Sequence, residues 1–189
     1  MECEKTGMEF AVGIPGSIGG AVYMNAGAYD GEMQNIVNCV KVMDLQGNER
    51  VLTAEELNFG YRKTSLQNSG LIVTEVTLKM PSGNKDEIKS KMDDFSHRRI
   101  SKQPLEMPSA GSMFKRPPGY FAGTLIDQAG LKGYTVGGAQ ISTKHAGFVV
   151  NVGGATAADV LQLIKDVQTK IKAGVGVELQ PEVLVIGEE

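Results

Sequence analysis

Six glycines, Gly13, Gly16, Gly19, Gly20, Gly27 and Gly31, crowd into residues 13–31 of this 189-residue chain. Residues 10–29 read Phe-Ala-Val-Gly-Ile-Pro-Gly-Ser-Ile-Gly-Gly-Ala-Val-Tyr-Met-Asn-Ala-Gly-Ala-Tyr. Such a stretch makes a poor long helix and a poor central strand, because glycine loses more conformational entropy in either than any other residue. It predicts a loop system. With no Cβ in the way, the backbone can approach a ligand closely and its amides can cradle a pyrophosphate. No strand precedes Gly16, Gly19 and Gly20, and their spacing departs from the dinucleotide fingerprint; the Gly-Lys-Ser/Thr ending of a P-loop is missing as well. The same composition also fits a glycine-rich turn packed between sheets.

The remainder can bury a core, with 41% apolar and 22% charged residues, and its length suits one or two domains. A formal net charge of −3 and a pI near 5.5 give no broad attraction for nucleic acid or an anionic membrane. Two distant cysteines, Cys3 and Cys39, imply neither a disulfide framework nor a metal site, which fits a reducing compartment. No apolar run approaches a membrane span, and Met1 is followed by Glu-Cys-Glu-Lys rather than a basic, then apolar, leader. The expected location is the cytoplasm.

Hydrophobic patterning predicts an α+β chain. Val37, Val40 and Val42, then Asp-Leu-Gln-Gly-Asn over residues 44–48, then Val51, read as a hairpin. Residues 71–80 alternate as a half-buried strand, with Ile72, Val76, Leu78 and Met80 inward. Pro81-Ser-Gly-Asn stops it, and a domain boundary near Ser82 divides residues 1–82 from 83–189. Ile88, Met92 and Phe95 then mark a helix running to Arg99, and Phe121, Leu125 and Ala129 a second one ended by Gly130. Thr156 and Asp159 resemble a capping box for a third, with Val160, Ile164, Val167 and Ile171 inward and Gly174 as its stop. Residues 146–152 and 177–186 read as strands.

A second loop, Pro-Ser-Ala-Gly-Ser-Met-Phe-Lys-Arg-Pro-Pro over residues 108–118, presents the Ser112 hydroxyl near Lys115 and Arg116. His97 and His145, the two histidines, stand in no triad arrangement, and no Gly-x-Ser-x-Gly elbow occurs, which argues against a hydrolase. Ser112 is then a proton donor or a turn serine bonded to its own backbone. Glu182 interrupts an apolar run, where alternation would put it on one face with Leu184 and Ile186; it is a paired or functional carboxylate, or an edge-strand charge. Arg62, in Phe-Gly-Tyr-Arg-Lys-Thr-Ser over residues 59–65, can grip a carboxylate with two nitrogens or be an ordinary surface arginine.

Together these segments resemble the UDP-N-acetylenolpyruvoylglucosamine reductase family. The likeness runs through Gly-Ile-Pro-Gly-Ser-Ile-Gly-Gly-Ala at 13–21, Met-Asn-Ala-Gly-Ala-Tyr at 24–29, Tyr61-Arg62, Pro-Ser-Ala-Gly-Ser-Met-Phe-Lys at 108–115 and Gln-Pro-Glu at 180–182. The resemblance implies an FAD-dependent, NADPH-driven reduction of the enolpyruvyl group of UDP-N-acetylglucosamine enolpyruvate to UDP-N-acetylmuramate, a step of peptidoglycan precursor synthesis. It implies Arg62, Ser112 and Glu182 as the catalytic set. Gly13, Ile14, Pro15, Gly16, Ser17, Gly19, Gly20, Asn25, Ala26 and Gly27 would bind the cofactor, and Tyr61, Lys115 and Arg116 the substrate. The fold it implies is the second lobe of a two-lobed FAD-binding domain, followed by an α+β substrate-binding domain.

Fifty residues separate Arg62 from Ser112, which resembles the shorter of the family's two architectures, without the inserted tyrosine loop. Arg116 stands where the other architecture more often has asparagine. The family's N-terminal lobe, with another glycine-rich flavin loop, has no counterpart here, and residues 1–6 read as the tail of a helix. The chain alone is therefore expected to hold FAD weakly, to bind UDP-sugars, and to self-associate through the uncovered face. A non-catalytic UDP-sugar-binding module that does not retain FAD is the other reading.

Overall fold

The computed structural model describes residues 3–187, which form two compact units divided between Arg99 and Ile100. The first is built on a three-stranded antiparallel sheet of β3 (Val37–Met43), β4 (Glu49–Thr53) and β5 (Ile72–Leu78), in the order β4-β3-β5. Val40 and Val42 of the central strand are fully buried. The β3–β4 turn closes because the Asp44 carboxylate accepts the amides of Gln46 and Asn48, both at 2.9 Å. The expected hairpin is present.

The alternation of β5 differs from the expected one. Lys41 pairs with Glu75 while its neighbour Val42 pairs with Val73, so Thr74 is an extra residue and a bulge. The side-chain phase reverses there: Val73 packs against the core and Ile72 is 49% exposed, although Val76 and Leu78 face inward as expected. Residues 3–6 are not the tail of a helix. Lys5 pairs with Ser82, the Thr6 amide donates to the Pro81 carbonyl and the Gly83 amide to that of Glu4. The backbone after β5 supplies partners that a helix end would lack.

The glycine-rich segment, expected as loop, contains a short helix, α1 (Ile18–Tyr23), and a small hairpin of β1 (Gly27–Ala28) and β2 (Gly31–Glu32). Close packing accounts for the glycines of the hairpin, Gly27 and Gly31, whereas a Cβ on Gly16 would meet nothing. A Cβ on Gly31 would lie 2.6 Å from the Phe10 ring. Helix α2 (Lys85–Lys102) starts where Asn84 accepts the amides of Asp86 and Glu87. Its expected stripe packs back on the first unit, with Ile88 buried and Phe95 stacked on Tyr29 at 4.5 Å. The compact units accordingly divide near the end of this helix, rather than before it at Ser82.

The second unit pairs a four-stranded antiparallel sheet with two helices. The strands are β6 (Ser109–Ser112), β7 (Thr135–Val136), β8 (Ala139–Ile141) and β9 (Phe148–Asn151), in the order β6-β9-β8-β7. Helices α3 (Ala122–Gln128) and α4 (Ala157–Val175) close a core that includes Met113, Phe114, Ile126, Ile141, Leu163, Val167 and Ile171. On α3 the buried residues are Ala122, Leu125 and Ile126, because Phe121 is the extended cap before the helix and is 59% exposed. Thr156 and Asp159 form the expected capping box of α4. The helix passes Gly174 and ends at Gly176, the glycine that takes the left-handed conformation (φ 72°) and returns its amide to the Lys172 carbonyl.

The expected C-terminal strand over 177–186 is not formed among the described residues. One antiparallel bridge joins Phe114 to Pro181, and beyond it Leu184, Val185 and Ile186 are 80%, 72% and 90% exposed. Proline has no amide to extend a ladder, and among the described residues no strand pairs with residues 183–186.

The Asp159 carboxyl lies below its ordinary pKa of 3.8, chiefly through the Thr156 amide, then the Thr156 hydroxyl and the Gly138 amide. A lowered folded-state pKa stabilises the fold above pH 3.8, and that contribution is lost as pH falls through the folded value. Asp159→Ala should lower the thermal midpoint at neutral pH and converge on the parent protein in acid. Equal midpoints at neutral pH would contradict the cap.

Candidate functional site

In the first unit, Ile14, Pro15, Gly16, Ser17, Gly20 and Ala26 line a cleft of about 450 Å³ whose remaining walls include Met8, Phe10, Met24 and Met33. Ser17 accepts the Gly20 amide at 3.1 Å and so fixes the start of α1. Ile14 and Ile18 stay 37% and 42% exposed at the cleft. The lining is mostly thioether and aliphatic carbon beside bare backbone, which suits the apolar face of a ring system. Gly13, Gly19 and Gly27 do not line this cleft. A Cβ on Gly19 would touch Val73 of β5 at 3.4 Å, and one on Gly13 the Arg99 side chain at 3.2 Å. Gly27 is closed in by its hairpin partner Glu32.

Asn25 is completely buried, at positive φ (43°). Its oxygen accepts the Gln34 amide, and its nitrogen donates to Glu32 Oε2 and to the Gly60 carbonyl, each at 3.0 Å. Gly60 opens the turn that carries Tyr61 and Arg62, closed by reciprocal backbone bonds with Lys63. Arg62 is half-buried, at φ 53°, a conformation that non-glycine residues seldom adopt unless the surroundings impose it. Its Nη2 donates to the Gly27 carbonyl at 3.3 Å, and its guanidinium lies 5.2 Å from the ring centre of the exposed Tyr61. Thr64 donates to the Tyr23 carbonyl, and Gln67 to those of Tyr23 and Arg62. The arginine turn and the glycine-rich segment are therefore fastened together.

In the second unit, three residues from Ser109 to Ser112 advance where β9 advances two, Val150 to Phe148, and Gly111 takes φ 87° within that bulge. Ser109 bonds the Val149 carbonyl and accepts the Gly111 amide, which sets the loop. Ser112 is exposed, and its hydroxyl donates to the Phe114 carbonyl at 3.3 Å. The Lys115 amide donates to the Gln180 carbonyl at 2.8 Å and the Glu182 amide to that of Met113 at 2.9 Å. The structure thus brings the Ser112 loop and the Glu182 segment side by side. Glu182 is half-buried while Leu184 and Ile186 are exposed, and without a strand over 177–186 the alternation that grouped the three does not apply. Lys115 is half-buried, and the Arg116 guanidinium sits 3.9 Å over the exposed Phe121 ring.

Arg99, Thr64 and Gln67 were not singled out by the sequence. Arg99 is 8% exposed, donates to the carbonyls of Val12 and Phe10 and lies 5.3 Å over the Tyr29 ring. Its signal was available, because it continues the spacing of Ile88, Met92 and Phe95 on the inward face of α2. Thr64 and Gln67 gave no such signal. Burial pushes the His145 imidazole below its ordinary value, while its Nδ1 accepts the Gly147 amide, a structural use of the ring. Among the described residues no group of three or more His, Cys, Asp or Glu could hold a metal, and no helix is long and apolar enough to cross a membrane.

Residues 103–186 match the family described as UDP-N-acetylenolpyruvoylglucosamine reductase, C-terminal domain. A curated relative of that reductase name from Limosilactobacillus reuteri is 55% identical over 188 residues, covering 100% of this chain and 63% of its own length. One from Clostridium perfringens is 55% identical over 189 residues and is covered over 62% of its length. A crystal structure of UDP-N-acetylenolpyruvylglucosamine reductase from Thermus caldophilus matches with a TM-score of 0.83 at 42% identity, over 96% of this chain and 65% of that one. The chain therefore spans less than two thirds of the length of these relatives.

Arg99→Lys keeps the charge but cannot span two carbonyls with a planar fork. Amide exchange at Val12 and Ile14, whose bonds to Glu9 and Ala11 shape the entry to the glycine-rich segment, should accelerate while α4 keeps its protection. Unchanged exchange at both would show that Arg99 does not hold this segment.

Proposed function

This chain belongs, over the part it spans, to the UDP-N-acetylenolpyruvoylglucosamine reductase family, and from that premise we infer that it carries out the substrate half of an NADPH-driven, flavin-dependent reduction of UDP-N-acetylglucosamine enolpyruvate. The observation that carries the reading is the pairing of the Ser112 loop with the Glu182 segment through the Lys115 and Glu182 amides. It supports a hydroxyl and a carboxylate serving one reacting group.

The first unit fits a flavin ring: an apolar cleft of about 450 Å³ with Gly16 and Gly20 at its wall leaves room against bare backbone. Ile14, Pro15, Ser17 and Ala26 line the same cleft, while Gly13, Gly19, Asn25 and Gly27 act behind it by shaping the backbone. Bound there, FAD would supply the hydride, received from NADPH. The chain's own residues handle the charge and the proton. Hydride addition to the terminal carbon of the enolpyruvyl double bond leaves an enolate spread onto the carboxylate, which needs a fixed cation beside it. Arg62 supplies that cation, Glu182 orients the group, and the Ser112 hydroxyl turns from the Phe114 carbonyl to deliver the proton to the neighbouring carbon. Tyr61, Lys115 and Arg116 hold the nucleotide sugar. The product is UDP-N-acetylmuramate, a peptidoglycan precursor, and the setting is the cytoplasm.

The test uses the chain alone and the chain joined to the part of the L. reuteri relative that it does not cover. The joined protein should be yellow and oxidise NADPH with the enolpyruvyl substrate; the chain alone should bind UDP-N-acetylglucosamine in calorimetry with little affinity for FAD. In the joined protein, Ser112→Ala should leave flavin reduction by NADPH intact and slow reoxidation by substrate by about 10²-fold or more. Equal slowing of both half-reactions in stopped flow, or of neither, would overturn the assignment of Ser112.

A further inference from the structure

We propose that Asn25 is a positioning residue for Arg62: the fully buried Asn25 amide sets the turn from which the arginine reaches the substrate, and it acts from behind the cofactor cleft without touching the ligand. This rests on the reading of Arg62 given above. Asn25 spends both amide protons inside the protein, on Glu32 Oε2 and on the Gly60 carbonyl. Its oxygen takes the Gln34 amide, and Gln34 Nε2 in turn bonds the other oxygen of Glu32. Across the turn, the same Gly60 carbonyl accepts the Lys63 amide. Removing the Asn25 donor would take away the inner of these two bonds and release the turn on that side.

Arg62 depends on this more than an ordinary turn residue does. A left-handed backbone at a long side chain is strained and persists only where several contacts over-determine it. Those contacts come from one short stretch. Asn25 bonds Gly60, Gln67 ties the Arg62 carbonyl to that of Tyr23, and the Gly27 carbonyl accepts Arg62 Nη2. Asn25 is itself left-handed (φ 43°), so its side chain points where a right-handed residue could not send it. The segment from Tyr23 to Gly27 therefore carries the arginine's footing, and Met24 and Ala26 within it line the cleft.

The test separates positioning from stability with two variants of the chain. Asn25→Asp keeps the shape, places a carboxylate against Glu32 and removes the donor to Gly60. Adding Glu32→Gln relieves that repulsion, since the new amide can donate to the introduced carboxylate, yet the Gly60 carbonyl still faces an acceptor. The double variant should recover the thermal midpoint lost by the single one. Exchange of the Lys63 amide, which closes the turn onto Gly60, should remain faster than in the parent by about tenfold in both variants. The shift of the Arg62 Nε–H NMR signal on titration with UDP-N-acetylglucosamine enolpyruvate should weaken alike in both.

Recovery of Lys63 protection together with the midpoint would overturn the proposal, by reducing Asn25 to a fold-stabilising residue. Unchanged exchange in the single variant would overturn it also. A parent chain whose Arg62 signal ignores the substrate would count against Arg62 as a substrate contact, and the Lys63 exchange would still decide what Asn25 holds.

Discussion

Buried backbone amides and carbonyls must find partners, and where the chain is neither helix nor strand those partners have to come from side chains or distant backbone. That constraint governs both units. The Arg62 turn, the glycine-rich segment and the Ser112 loop are all irregular, and each is completed by a particular residue elsewhere: Asn25 for Gly60, Arg99 for Phe10 and Val12, and the Gln180–Glu182 backbone for Met113 and Lys115. Every described buried side-chain polar atom has a hydrogen-bond partner. These irregular segments are thus held by particular polar contacts, while the cores around Val40 and Leu163 are held by apolar packing.

The chemistry proposed for the chain follows from how these irregular segments are aimed. A proton donor has to be accessible yet fixed, and Ser112 meets both demands: its loop is pinned by Ser109 and by β9, while its hydroxyl bonds only a nearby carbonyl among the bonds described for it. A cation that stabilises an enolate gains from being held before the charge appears. The left-handed Arg62 turn, clasped by Asn25, Thr64 and Gln67, is that kind of preorganised mount.

Sequence patterning revealed the features whose causes are local. Asp44 and Gly47 announced the β3–β4 turn, and Thr156 with Asp159 the start of α4, because each device lies within five residues. Features set by distant partners stayed hidden. Alternation assumes one residue per pair, so the Thr74 bulge turned Val73 inward where Ile72 was expected. The apolar run at 183–186 has strand composition but no neighbour to pair with, and Pro181 was its one visible warning. Gly174 and Gly176 are equally plausible stops until φ is known. The resemblance supplied Ser112, Glu182 and Arg62 by motif, and the structure adds what the motifs do not encode: Asn25 meets Gly60 thirty-five residues away, and Arg99 meets Phe10 across eighty-nine.

The account stands most directly on the claim that the Gln180–Glu182 segment is fastened to the Ser112 loop although a single bridge, rather than a ladder, joins them. Residue-resolved amide exchange of the chain measures it. Lys115 and Glu182 should be protected within about tenfold of Ser142 and Asn151, whose amides bond Phe148 and Pro108 at the edges of β9. Exchange of Lys115 and Glu182 at the rate of the exposed residues 184–186 would mean that the two segments do not stay together, and that the serine and the glutamate share no site.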